Sequence, residues 1–261
     1  MGKALALREI QKIESDILSH IDIFCKEHNI KYFLTYGTLI GAIRHKGFIP
    51  WDDDIDICML RDDYNKFIEE YGRNNDEPYQ ILSIYNDPLY YYDTARVVDT
   101  RTTICIDGLI HNPSEGLWID IFPLDNIPKY NIFLRGLVFF LTACRVLSVY
   151  TRYPSNKHSL IFYPIWFISK KIGPRFFLNI IERIVSRKGN SGIVGYFCSE
   201  MWPRDWIKKG WCENPVHVLF EGKQYPTFSH YDDILNSIYG DYMTLPPEEK
   251  RIPHPIKAYW K

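Results

Sequence analysis

A chain of 261 residues, 46% hydrophobic and 24% charged with a formal net charge of −1, has material for a sizeable core. Its length fits one domain with an elaboration better than two independent ones. Its six cysteines, Cys25, Cys58, Cys105, Cys144, Cys198 and Cys212, show no paired framework, and the N-terminus lacks the basic and apolar blocks of a signal peptide, so a reducing cytoplasm is the expected home.

In chain order, residues 5 to 28 place Leu7, Ile10, Ile13, Ile17, Ile21 and Phe24 at spacings of three and four, the stripe of an amphipathic helix against a core. Lys31 to Tyr36 alternates like a short strand. Gly37-Thr38 then breaks it before Leu39 to His45, whose spacing suits a short helix. Free N–H groups at such a helix start form a seat for phosphate, and the Thr38 hydroxyl can add a hydrogen bond. Arg44, His45 and Lys46 follow as a basic triplet that can offset phosphate charge.

Pro50 and Trp51 close the next loop, and Asp54-Ile55-Asp56-Ile57 reads as a strand. Alternation puts Asp54 and Asp56 on one face and Ile55 and Ile57 in the core. Two carboxylates roughly 7 Å apart on one face repel unless a cation sits between them. Magnesium is the natural candidate, held by carboxylates and phosphate oxygens, with manganese as the alternative. A solvated acidic loop would not need the interleaved Ile55, Ile57 and Met59. A calcium hand starting at Asp52 would need Gly where Ile57 stands. A sugar-nucleotide glycosyltransferase also uses Asp-x-Asp, but lacks reason for the Gly37-Thr38 turn just upstream.

Asp62 or Asp63 can cap a helix running to about Tyr71. Strand-like runs follow at Gln80 to Tyr85, Thr94 to Val98 and Thr102 to Ile106. Arg96, near Tyr90, Tyr91 and Tyr92, reads either as a phosphate contact or as half of a structural ion pair. Leu117 to Phe122 is a further strand, and an acid inside it, Asp120, is costly to bury without a partner. A third metal-site carboxylate accounts for it. Asp125, beyond an expected break at Pro123, reads as a loop-stabilising residue.

From Lys129 to Gly189 the composition changes: eleven Lys and Arg stand against Glu182 alone, giving +10, with −11 on the rest of the chain. Gly136 to Cys144 and Ser159 to Ser169 are apolar but shorter than the roughly 20 residues of a spanning helix. They suit helices lying on an anionic membrane surface, with Tyr163, Trp166 and Phe167 at the interface. The competing reading is a helical subdomain packed inward. Nucleic acid is not expected, since backbone binding has no use for such apolar runs. In the tail, Tyr231 to Tyr239 reads as a helix stopped by Gly240. Cys198, Cys212, His217 and His230 make only a weak zinc set without a close Cys-x-x-Cys pair.

The run from Tyr36 to Asp56, the stretch Trp118-Ile119-Asp120-Ile121-Phe122-Pro123-Leu124-Asp125, and the tail Tyr239-Gly240-Asp241-Tyr242-Met243 with Pro246-Pro247 resemble the LicD family, related to the fukutin proteins. The resemblance implies an α+β fold: a nucleotidyltransferase-like mixed sheet with flanking helices, here with a helical basic and aromatic insertion. It divides the chain into a catalytic core at 1–128, the basic segment at 129–192 and a C-terminal part, 193–261, that completes the core. It implies transfer of a phosphate-linked alcohol, foremost phosphocholine, from a CDP donor to a lipid-linked glycan such as teichoic acid, capsule or lipopolysaccharide, releasing CMP. Asp54, Asp56 and Asp120 would be the metal and catalytic residues, with Gly37, Thr38, Arg44, His45, Lys46 and Arg96 around the phosphates. His254 lies in a stretch matching the family pattern, with a donor-binding or structural role. The expected location is peripheral, on the inner face of the cytoplasmic membrane. Choline would favour aromatic faces such as Trp51, Trp118 or Tyr90 to Tyr92. Ribitol or glycerol phosphate transfer, a donor-binding protein without turnover, and a membrane-associated scaffold are the alternatives.

Overall fold

A computed structural model of the chain describes residues 4–261 except 74–77, 107, 128–131, 155–159, 187–190 and 254–255, so His254 lies outside the described residues. In order these residues form helix α1 (Leu7–Glu27), strand β1 (Phe33–Leu34), α2 (Tyr36–Arg44), β2 (Asp56–Leu60), α3 (Arg61–Arg73), β3 (Tyr79–Leu82), β4 (Ala95–Asp99), β5 (Thr102–Cys105) and β6 (Trp118–Asn126). Helices α4 (Ile132–Ser148), α5 (Tyr163–Ile172) and α6 (Pro174–Val185) follow. The chain ends with β7 (Ile193–Gly195), β8 (Ile207–Lys208), β9 (Val216–Phe220), β10 (Lys223–Thr227), α7 (Tyr231–Tyr239) and β11 (Lys257–Trp260).

The architecture is mixed α+β. The central sheet runs β1-β2-β6-β4-β3, and β7 joins the far end of β6 and carries β8. Among the described residues of this sheet only β2 and β6 pair in parallel, with Asp56 opposite Asp120; the other pairs are antiparallel. The core forms where the hydrophobic stripe of α1 meets the sheet: Ile17, Leu18 and Ile21 are fully buried with Ile55, Ile57, Val97, Ile119 and Ile121. Phe220, Tyr225, Leu235 and Ala258 from the C-terminal part belong to that same cluster.

Three local expectations change. The chain turns one residue earlier than Gly37-Thr38, at Tyr36, whose φ is +46°, and α2 begins there. The regular ladder of β2 starts at Asp56, not Asp54, although the Asp120 N–H already donates to the Ile55 carbonyl at 3.1 Å. Pro123 does not end β6. Pairing with β4 stops at Ile121 and pairing with β7 starts at Asp125, so the missing N–H of Pro123 falls in the gap between partners. Asp125 is therefore no loop residue: it is buried and takes two hydrogen bonds from Arg61, at 2.6 and 2.7 Å. Arg61 also reaches Glu182 of α6 at 2.8 Å, which ties the basic helices to the sheet.

Candidate active site

The acid run enters the sheet with alternating exposure: Asp53, Ile55 and Ile57 are buried, while Asp52, Asp54 and Asp56 are half-buried. This sets the three half-buried acids on one side, as extended backbone requires. Register then brings Asp120 beside Asp56 on the adjacent strand. Burial raises the Asp56 carboxyl well above the ordinary carboxylate range, and the charges of Asp54, Asp120 and Asp52 push it further, with Arg96 opposing.

Asp120 has partners within the protein. Its Oδ1 accepts from Thr94 Oγ1 at 3.0 Å and Arg96 Nε at 2.9 Å, and its Oδ2 accepts from Trp118 Nε1 at 2.6 Å and more distantly from Arg96 Nη2 at 3.4 Å. The Arg96 guanidinium is sandwiched between Tyr92, 3.5 Å from the ring centroid, and Trp118, at 4.2 Å. Burial works against its charge, but Asp120 together with Tyr92 and Tyr90 more than offsets this and leaves it firmly protonated. Arg96 Nη1 is buried without a hydrogen-bond partner. Arg96 therefore makes the structural ion pair of the sequence reading, with one buried donor unpartnered.

At the helix start the expected phosphate seat has an acid beside it. A Cβ added to Gly37 would lie 2.9 Å from Asp52 Oδ2, so the glycine admits the Asp52 carboxylate to the first turn of α2, where a negative charge complements the helix dipole. Thr38 is buried, and its Oγ1 accepts the Asp56 N–H at 2.8 Å, fixing where the acid strand begins. The basic triplet diverges. Lys46 is exposed and donates to the Ile43 carbonyl at 3.0 Å. Arg44 donates to the Tyr242 carbonyl at 2.6 Å and to His45 Nε2 at 2.9 Å. Burial and Arg44 hold the His45 imidazole below its ordinary pKa.

Three residues escaped the sequence reading. Glu14 of α1 is 2% exposed, with Oε2 unpartnered; burial and the neighbouring Asp54, Asp53, Asp52 and Asp56 raise its carboxyl. Its signal was available, since it sits in the apolar stripe between Ile13 and Ile17. Tyr239 of α7 is 37% exposed, yet burial of its phenol and the charges of Asp56, Asp52 and Asp54 raise its pKa. Arg251 lies over the Trp51 ring, 5.6 Å from its centroid, and donates Nε–H to the Pro246 carbonyl. Its nearest carboxylate, on the exposed Glu248, is 3.9 Å away. Burial and Arg251 together lower the Arg44 pKa, so the two guanidiniums lie near one another, with Arg251 over Trp51, the residue before Asp52. Nothing local in the sequence around Arg251 announces this.

As they stand, no three His, Cys, Asp or Glu side chains among the described residues form a group able to hold a metal ion. The donor chemistry nevertheless suits one: Asp54, Asp56 and Asp120 offer the hard oxygens that magnesium and manganese take, and a cation would relieve the repulsion concentrated on Asp56. Among the described residues, the cysteines and histidines weighed for zinc form no such group. Cys212 packs with Phe33 and Cys58, Cys198 beside the α4–α6 cluster, and His230 stacks on Trp211.

The protein-family model described as "LicD/FKTN/FKRP, nucleotidyltransferase domain" matches residues 29–131, the stretch that holds α2, β2, β4 and β6. The chain is also 31% identical over 266 aligned positions to the lipopolysaccharide cholinephosphotransferase LicD of Haemophilus influenzae, covering 98% of each chain. The chain belongs to the LicD family. A protein of Rickettsia prowazekii with no assigned function is 43% identical over 130 residues, 49% of this chain and 42% of that one. In this LicD protein the matched domain contains all three candidate carboxylates, whereas Tyr239 and Arg251 come from the C-terminal part. That part lies within the full-length likeness to the Haemophilus enzyme.

Proposed function

We propose that this LicD protein transfers phosphocholine from CDP-choline to a hydroxyl of a lipopolysaccharide-type glycan and releases CMP. The observation that carries the reading is the placement of Asp56 beside Asp120, with Asp54 just upstream, in a chain similar over its whole length to a lipopolysaccharide cholinephosphotransferase. Asp54, Asp56 and Asp120 would hold Mg2+, or Mn2+ in its place. Bound there, the ion would supply charge neutralisation to the donor's phosphates.

The protein's own residues do the rest. Arg96 holds the Asp120 carboxylate in a fixed orientation, as partners of metal-ligating carboxylates do. Arg44 supplies positive charge that offsets the leaving CMP, and Arg251 supplies positive charge that binds the donor's phosphates in ground and transition state alike. Transfer of phosphocholine requires the acceptor hydroxyl in line with the phosphorus that bears choline. Alignment on the nucleotide's phosphorus would transfer CMP instead.

The reading is tested by offering CDP-choline, CDP-ribitol and CDP-glycerol in turn, with magnesium and lipopolysaccharide, and measuring CMP. CMP formed from CDP-choline, with phosphocholine on the glycan, supports it. CMP from only CDP-ribitol or CDP-glycerol reassigns the alcohol, and tight donor binding without CMP identifies a binding protein.

A further inference from the structure

The basic helices bury one face and expose another that is equally apolar. In α4, Val138, Leu141 and Cys144 pack against Phe177, Ile181 and Val185 of α6, which satisfies the inward-packing reading for half of the helix. On its other side Phe139 and Phe140 are 72% and 54% exposed. Leu160 and Ile161, in a short turn before α5, are 70% and 77% exposed, and Phe167 and Ile168 on α5 are 45% and 57% exposed. Single exposed apolar residues are ordinary, but large ones gathered on one subdomain mark an interaction surface.

The charge on this subdomain is less than the sequence count suggests, and more one-sided. Arg145 is paired with Asp93 at 2.9 Å, and Arg175 donates to the carbonyls of Asp87 and Ile84. Arg152, Lys170, Lys171 and Arg183 are exposed. Glu182, the segment's single acid, is engaged by Arg61. On α5 the cations sit among the rings: Lys170 Nζ is 5.1 Å from the Trp166 centroid and Lys171 Nζ is 4.5 Å from that of Phe167. No described helix is long and apolar enough to cross a membrane.

We propose that this face docks reversibly on an anionic lipid bilayer, with the exposed side chains of α4, α5 and the preceding turn inserted at the level of the headgroups. Charge selects the occupant. A second copy of the chain would bring cations against cations with no exposed carboxylate from this segment to pair them, whereas anionic headgroups neutralise them. Apolar insertion from helices lying in the interface plane needs no spanning segment. The inference is independent of the reaction, because binding is read without any donor.

The test is co-sedimentation of the full chain with phosphatidylcholine vesicles, with and without phosphatidylglycerol, from about 0.1 M to about 1 M salt. The wild-type protein is expected to pellet with anionic vesicles at least tenfold more than with neutral ones, and a fraction should stay bound at high salt. Phe139→Asp, Ile161→Asp and Ile168→Asp combined should cut binding more than tenfold with the urea midpoint unchanged. If that variant folds poorly, Lys170→Gln with Lys171→Gln serves instead and should cost about fivefold per charge. The proposal is overturned by wild-type protein that stays in the supernatant throughout or binds neutral and anionic vesicles alike. A self-association that these substitutions abolish, without vesicle binding, overturns it as well.

Discussion

Arg96 stands directly opposite Asp120 across β4 and β6, and its guanidinium donates to both carboxylate oxygens while lying between the rings of Tyr92 and Trp118. Breaking a buried pair by removing one partner leaves the other charge uncompensated. Arg96→Ala is therefore expected to lower unfolding stability by about 3 kcal/mol in urea titration. Asp120→Asn keeps one acceptor oxygen, which can serve Thr94 or Trp118 but not both, and it leaves the Arg96 charge uncompensated, so it should cost comparable stability and lose as much activity as a change at Asp56. An Asp120→Asn enzyme with near-normal turnover would show that Asp120 serves only to hold Arg96.

Asp54→Asn and Asp56→Asn should each slow transfer roughly a hundredfold or more, the consequence of losing several kcal/mol of transition-state stabilisation. Their circular dichroism should match wild type. Asp52→Asn should be milder in rate, because Asp52 packs against the first turn of α2. Rate measurements on the three variants check the order.

Arg251→Ala should raise KM for the CDP donor about tenfold with kcat within about threefold, since a lost hydrogen bond to a charged group is worth roughly 1.5–3 kcal/mol. Arg251→Lys should recover part of it. A purely structural tail residue would change stability and leave KM as it was.

Glu115 is 3% exposed, and burial pushes its carboxyl up to about 7, from 4.5. The native state therefore holds this proton more tightly than the unfolded chain. Its stabilising contribution is full below about pH 4.5 and is lost as pH rises through about 7. Against wild type, Glu115→Gln should be more stable at about pH 8 by on the order of 2 kcal/mol, and the difference should shrink toward about pH 5. Urea midpoints at both pH values measure this.

How much was legible in the sequence depended on the range of the interaction. The α1 stripe, the alternation through Asp54 and Asp56 and the strand at Asp120 are local patterns, and they led to the right elements. Ladder partners are not local. Pro123 reads as a break until β4 and β7 are known to leave a gap beside it, and nothing around Thr38 shows that its hydroxyl accepts the Asp56 N–H. The same blindness inflated the charge of the basic segment, because Asp93 lies 52 residues from Arg145. Arg251 was missed for this reason too, whereas the Glu14 carboxylate in an apolar stripe was a visible anomaly.

The central claim is that the acids of β2 and β6 form a divalent-cation-dependent centre for phosphocholine transfer. The most direct measurement is CMP release from CDP-choline in the presence of lipopolysaccharide, titrated with Mg2+ and then with chelator, for wild type and Asp56→Asn. The account predicts release that rises with Mg2+, stops on chelation, and is at least a hundredfold slower in the variant. Release that is indifferent to the cation, or retained by Asp56→Asn, would contradict it.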